Sequence, residues 1–135
     1  MEKSQNDSAQ HSHQFLCSII TPVYNGAAYL KECLNSILLQ QNVDLRRVQL
    51  VIYDDSSTDG SYQVAHQVLQ ELRSCLGHVE LFRGETGPLG VGSARNVACA
   101  RASSAILVFL DADDVMRPLR LSRTLQAFDS VEDSF

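Results

Sequence analysis

Four short apolar runs, at residues 16–21, 48–53, 79–82 and 106–110, alternate along the chain with segments whose apolar residues recur at helical spacing. That alternation restricts the chain to parallel β-α-β units, with helices covering both faces of the sheet. Within residues 26–40, Leu30, Cys33, Leu34, Ile37 and Leu38 form one helical stripe. Ala65, Val68, Leu69, Leu72 and Leu76 form a second, closed by Gly77 as a left-handed C-cap. A glycine-rich loop at 84–92 leads into a helix over 93–101 whose small face is Ala94, Val97 and Ala98. Pro22 is expected to stop the first strand, and Pro118 to sit in the first turn of a last helix carrying Leu121, Leu125 and Phe128. Right-handed crossovers bring every loop that follows a strand to one edge, so the residues after Thr21, Tyr53 and Leu110 should converge there.

With 135 residues, 44% of them apolar, the chain is sized for one core. Eleven basic against 16 acidic side chains give a net charge of -5, which leaves no electrostatic footprint for nucleic acid or an anionic membrane. Residues 1–14 are almost wholly polar and hold neither a signal-peptide core nor a membrane span. They read as a disordered tail with solvated His11 and His13, ahead of one domain over 15–135, and the expected location is cytoplasmic. Cys17, Cys33, Cys75 and Cys99 lack the spacing of a zinc site or a disulfide framework and read as small core residues.

Aspartates close two separate strands: Asp54 and Asp55 after the second, Asp111, Asp113 and Asp114 after the fourth. An isolated aspartate is more often a cap or turn residue than a ligand, and Asp59 is read that way. Five carboxylates on one rim repel one another unless a cation or hydrogen-bond donors offset them, so the cluster implies a bound metal. Along an extended segment, Asp111 and Asp113 project to the same side and reach one ligand complex. Hard oxygen donors favour Mg²⁺ or Mn²⁺, which would neutralise a diphosphate leaving group.

Four motifs occur in order: Ser18-Ile-Ile-Thr-Pro-Val-Tyr-Asn25, Asp54-Asp-Ser-Ser-Thr-Asp-Gly-Ser61, Gly92-Ser-Ala-Arg-Asn96 and Phe109-Leu-Asp-Ala-Asp-Asp114. Together they resemble glycosyltransferase family 2, over most of the chain. Gly90-Val-Gly-Ser-Ala-Arg-Asn96 followed by Asp113-Asp-Val-Met-Arg-Pro118 is similar to the β-1,3-N-acetylglucosaminyltransferase-like branch of that family. The resemblance implies a GT-A, Rossmann-like α/β fold that binds a UDP-sugar for inverting transfer to an acceptor hydroxyl, the acceptor being a glycan, lipid or protein. It implies that Thr21, Pro22 and Tyr24 line a uridine pocket and that Asp54 or Asp55 accepts from the uracil ring nitrogen. It further implies Arg95 beside the nucleotide, Asp111 at the ribose or metal, and Asp113 as the principal ligand of Mn²⁺ or Mg²⁺.

An inverting transfer needs a carboxylate base for the acceptor hydroxyl, and the resemblance puts that base in an acceptor half beyond Phe135. Glu132 and Asp133 follow the last helix too closely to be it and read as a solvated acidic end. The expected chain is therefore a donor-binding portion, with an open sheet edge on the fourth strand that favours self-association. The alternative is a non-catalytic nucleotide-sugar-binding fragment or regulatory isoform. The loop at 84–92 departs from the family, which often has an asparagine before its glycine-serine-alanine-arginine-asparagine run. A dinucleotide fingerprint is disfavoured because the first strand-helix turn lacks G-x-G-x-x-G, and a P-loop is excluded because no Gly-Lys-Ser/Thr occurs. A third possibility is a nucleotidyltransferase on a similar sheet, which would normally bring a glycine-rich loop with a basic residue after the first strand, and residues 21–26 hold neither.

Overall fold

The structure is a computed structural model that describes residues 15–133. The tail reading, with His11 and His13, lies outside the described residues. Four parallel strands, β1 (Cys17–Val23), β2 (Val48–Asp54), β3 (His78–Arg83) and β4 (Leu107–Phe109), form one sheet in the order β3-β2-β1-β4. The helices are α1 (Ala27–Leu38), α2 (Ser61–Cys75), α3 (Val91–Cys99) and α4 (Arg120–Asp133), with a 3-10 turn at Leu45–Arg47 before β2.

Period-two alternation sorts the strand residues onto two unequal cores. Cys17, Ile19, Leu50, Ile52 and Val108 pack under the stripes of α1 and α2, and Leu121 of α4 joins them. Ile20, Val51 and Tyr53 face the other way against Ala94 and Ala98, whose small side chains let α3 lie close to the sheet. Helices thus cover both faces. Phe128 is exposed rather than packed, because α4 leaves the core after Leu121 and Leu125.

Four local expectations are corrected. Pro22 does not end β1: the parallel ladder runs on through Pro22 to Val23 opposite Asp54. Ser18 N–H donates to Ile106 and the Ile20 carbonyl accepts from Leu110, so the even-numbered residues of β1 turn their backbone groups toward β4. At Pro22 that neighbour has already ended, and the missing N–H costs no ladder bond. Gly77 is not a left-handed cap either, since the C-cap is Leu76 in extended geometry. The residue is small because a Cβ there would strike the Arg46 carbonyl. Pro118 lies in a turn just before α4, with Arg120 N–H donating to Arg117 at 3.0 Å. Glu132 and Asp133 belong to the end of α4 and do not follow it.

Two buried glutamines hold the connections that flank β4. Gln49 accepts from Ser18 Oγ at 2.5 Å and from Ser103 N–H at 2.8 Å, tying the α3–β4 link to the sheet. Gln40 accepts from Leu121 N–H at 3.0 Å and donates to the Arg117 carbonyl at 2.6 Å, which fixes the start of α4 after the aspartate cluster. Among the described residues all four cysteines are free; Cys17 and Cys33 are buried, whereas Cys75 and Cys99 are only partly covered. No helix among the described residues is long and apolar enough to cross a membrane.

Candidate functional site

In this strand order β1 leads into α1 on one face of the sheet, whereas β4 is reached through α3 on the other, so a crevice opens beyond the carboxyl ends of β1 and β4. A cavity of about 460 Å³ occupies it, lined by Pro22, Val23, Tyr24, Asn25, Gly26 and Tyr29 after β1, Asp55 after β2, Pro88, Gly90, Val91 and Ala94 around α3, and Asp111, Ala112 and Asp113 after β4. The three sequence-distant loops therefore meet at one edge. Tyr24 is half-exposed on the cavity wall and is no core aromatic. Thr21 is buried below the rim with its hydroxyl unpartnered, and the cavity lining passes it by.

The two aspartates after β2 have different surroundings. Asp55, 2% exposed, accepts from Leu89 N–H at 2.9 and 3.0 Å through its two oxygens and from Gly90 N–H at 3.0 Å. It holds the glycine-rich loop over the cavity. Asp54 is equally buried but points under α1 and α2, where one oxygen meets Ser57 N–H at 3.3 Å and the other has no partner.

Asp59, Ser57, Thr58 and Ser61 stitch this loop to the one after β1. Asp59 accepts from Ala27 N–H at 3.0 Å and from Ser61 N–H at 3.1 Å, so one carboxylate serves the N-termini of α1 and α2, where negative charge is favoured. Ser57 Oγ accepts from Asn25 N–H, Asn25 Oδ1 from Thr58 N–H, and Ser61 Oγ from Gly26 N–H, each at 2.9 Å. The expectation of a turn or cap at Asp59 is met twice over. The Ser61 hydroxyl above all, opposed by desolvation and joined by the Ala27 and Ser61 backbone N–H groups, holds the Asp59 carboxyl below the ordinary 3.8. Its contribution to stability is present above 3.8 and is lost as pH falls through the lower folded value. Asp59→Ala should therefore cost about 1 kcal/mol at neutral pH, and the gap to wild type should close in acid denaturation series below pH 3.8; a gap that widens there would refute the capping account.

Beyond β4, Asp111-Ala-Asp-Asp114 is a turn and not the extended segment expected: Asp114 N–H donates to the Asp111 carbonyl at 3.0 Å. The turn brings one oxygen each from Asp111, Asp113 and Asp114 within 4.8 Å of one another, which adds Asp114 to the pair anticipated from alternate spacing. Arg95 Nη2 donates to Asp111 Oδ1 at 2.9 Å, and its guanidinium lies 5.6 Å from the centre of the Phe109 ring. Arg95 thus reaches the cavity through Asp111. Cys33 lies behind the turn and donates to the Asp111 carbonyl at 3.3 Å. Burial, and then the negative charges of Asp114, Asp113 and Asp111, push its thiol up to about 12, so it stays protonated and the donor set is all oxygen. An all-carboxylate cluster suits Mg²⁺ or Mn²⁺ rather than a thiophilic ion.

Sequence reasoning missed Gln40 and Ser36 as supports of this turn. Ser36 Oγ accepts from Met116 N–H at 2.9 Å beside the Gln40 contacts. Ser36 sits on the buried face of α1 and Gln40 is buried just past its end, and a polar residue continuing the apolar stripe is the signal that was available.

A parallel β3-β2-β1-β4 sheet with a cavity at its switch point and a carboxylate cluster beyond β4 defines an α/β fold of the GT-A type. The chain belongs to glycosyl transferase family 2, whose model matches residues 18–135. An uncharacterised glycosyltransferase of Nostoc sp. is 36% identical over 111 residues, covering 82% of this chain and 32% of that protein. The poly(ribitol-phosphate) β-N-acetylglucosaminyltransferase TarS of Staphylococcus aureus is 34% identical over 97 residues, covering 72% of this chain and 16% of that protein. The crystal structure of TarS 1–349 in complex with UDP superposes with a TM-score of 0.71 at 31% identity, over 84% of this chain and 32% of that one. A mannosyltransferase from Pyrobaculum calidifontis in complex with GDP-Man and Mn²⁺ gives 0.64 at 29% identity, over 72% and 27%. The chain therefore spans about a third or less of the length of these relatives.

Proposed function

We propose that the chain is the donor-binding portion of an inverting, divalent-metal-dependent glycosyltransferase that takes a UDP-sugar, with N-acetylglucosamine as its sugar. The observation that carries this reading is the cavity at the switch point, walled by Pro22, Tyr24 and Asp55 on one side and by Asp111 and Asp113 on the other. Its support outside the chain is that TarS has been crystallised with UDP and with UDP-GlcNAc. Pro22 and Tyr24 offer a flat apolar wall for a base, and Asp55 is the aspartate of its pair that borders the cavity. Asp111, Asp113 and Asp114 would hold the metal ion, which when bound supplies positive charge to the diphosphate as it leaves. Arg95, paired to Asp111, orients that carboxylate. The two motifs at 90–96 and 113–118 support the β-1,3-N-acetylglucosaminyltransferase-like branch within the family.

Transfer to an acceptor hydroxyl, a cytoplasmic location, and self-association through the β4 edge belong to the same reading. β4 pairs with β1 alone among the described strands, so its outer side is open to a partner strand. Sedimentation that depends on protein concentration checks the last point. A second reading is a nucleotide-sugar-binding module without turnover. Release of UDP in the presence of a simple acceptor separates the two.

The test of the donor site is calorimetric titration of UDP into the purified chain with and without Mn²⁺. Binding should strengthen with the metal, and Asp113→Ala should abolish the metal-dependent part. A folded chain that binds UDP equally well with and without Mn²⁺, or not at all, refutes the site as proposed.

A further inference from the structure

Three arginines stand together on the far side of the carboxylate cluster. Arg117, Arg120 and Arg123 line a second cavity of about 450 Å³ with Asp114, Val115, Leu119 and Thr124. This cavity and the one at the switch point share no lining residue. The cluster lies between them, with Asp113 in the first wall and Asp114 in the second.

In a chain of net charge -5 with 11 basic residues, three arginines within seven positions around one hollow are a local reversal of sign. They also stand at the wrong end of a helix. Arg120 and Arg123 fall in the first turn of α4, which holds no acidic residue, and the positive end of the helix dipole disfavours cations there. Arg120 Nη2 donates to the Phe109 carbonyl at 2.6 Å, which anchors one guanidinium at the cavity wall. Arg117 and Arg123 are exposed and make no ion pair among the described residues. Asp114 offsets one of the three charges and leaves the hollow net positive.

From this placement we infer that the Arg117-Arg120-Arg123 cavity binds a phosphate ester, carried by the acceptor substrate. Guanidinium forks match phosphate oxygens in pairs, and a phosphate presents enough oxygens to engage more than one fork, whereas a carboxylate is filled by one. An acceptor held there would stand beside the carboxylate cluster and outside the switch-point cavity. Only the word acceptor rests on the donor reading above; the phosphate site stands on the arginines.

The experiment is an NMR titration of the full chain that follows the arginine Nε–H signals, with glycerol 3-phosphate, inorganic phosphate and phosphatidylglycerol vesicles as separate probes at constant ionic strength. UDP titration of every protein runs alongside. Glycerol 3-phosphate should shift Arg117 and Arg123 saturably and bind at least as tightly as inorganic phosphate. The exposed double variant R117Q/R123Q should bind it at least tenfold more weakly while its UDP affinity and melting temperature stay those of wild type. Absence of saturable shifts at these arginines overturns the proposal. So does tighter binding of inorganic phosphate, which marks an adventitious ion only, or a response to vesicles alone, which marks a lipid surface. Equal loss of phosphate and UDP binding in the double variant also overturns it, because the two sites would then be one. Phosphate-ester binding by a chain that fails to bind UDP would leave this site standing and remove the donor reading instead.

Discussion

Replacing Gly77 by alanine should lower the unfolding free energy by about 3 kcal/mol, at the upper end of what overpacking costs. The added Cβ would strike the Arg46 carbonyl, and it would lie 2.8 Å from Phe15 Cε1 and 3.0 Å from the Arg46 carbonyl carbon. Backbone cannot rotate aside as a side-chain tip can. Gly77 N–H is also shared between the Leu45 carbonyl at 3.1 Å and the Val48 carbonyl at 3.0 Å, so the glycine cannot back away without losing both contacts. The opposing segment is held as well, since the Arg47 carbonyl accepts from Leu16 N–H at 2.6 Å. Gly92 supplies the control. It lies inside α3 with no atom near its missing Cβ, and alanine there should be neutral or stabilising by up to about 1 kcal/mol. Urea denaturation of both variants checks the pair; a Gly77→Ala midpoint within error of wild type would sink the steric account.

Gly77 also shows where sequence reading stops. A glycine after a helical stripe is a fair signal for a helix end, and α2 does end just before it. The cause, a carbonyl 31 positions earlier in the chain, is a tertiary contact that local spacing cannot reveal. Pro22 repeats the lesson, because whether a proline ends a strand depends on which neighbour its missing N–H would have faced. Periodicity sufficed for the four strands, the four helices and the convergence of their loops, since burial of one face against the sheet depends on apolar spacing alone. The carboxylate cluster was legible for a different reason: like charges packed after an apolar strand are costly and call for a ligand. Their backbone shape was not legible. The i to i+3 bond from Asp114 to Asp111 turns the segment, and the turn rather than alternation brings Asp114 in. The polar run at 56–61 read as a motif, yet most of its hydrogen bonds brace one loop against another. That role required knowing that residues 25–27 stand opposite.

Asp55 both braces the glycine-rich loop and borders the switch-point cavity, and its removal should have the second large effect. One buried carboxylate receives three short contacts from two consecutive N–H groups, and hydrogen bonds to a charged group contribute about 1.5–3 kcal/mol each when buried. The loop they hold has few other ties. Gly84 N–H donates to the Asp54 carbonyl and the Gly84 carbonyl accepts from Ser56 Oγ at one end, and Ala94 N–H reaches the Gly90 carbonyl at the other. Gly87 and Gly90 both have positive φ, a conformation glycine adopts without steric cost, so the loop conformation depends on the anchor more than on local sterics. Asp55→Ala should free residues 85–89, speed hydrogen exchange at the Leu89 and Gly90 amides by about a hundredfold, equivalent to about 3 kcal/mol of local stability, and remove one wall of the switch-point cavity. Asp55→Asn should come close to the same loss, because one of its two terminal atoms becomes a donor facing another donor. Asp54→Asn is the contrast. Its carboxylate makes one 3.3 Å contact and leaves the other oxygen unpartnered, so the same change should leave Leu89 and Gly90 protected. Native-state exchange of the three variants decides the point. If Leu89 and Gly90 keep wild-type protection in Asp55→Asn, the loop is held by something other than this carboxylate, and Asp55 is free to serve the nucleotide alone. If they lose it together with UDP affinity, one side chain both shapes the cavity and borders its ligand.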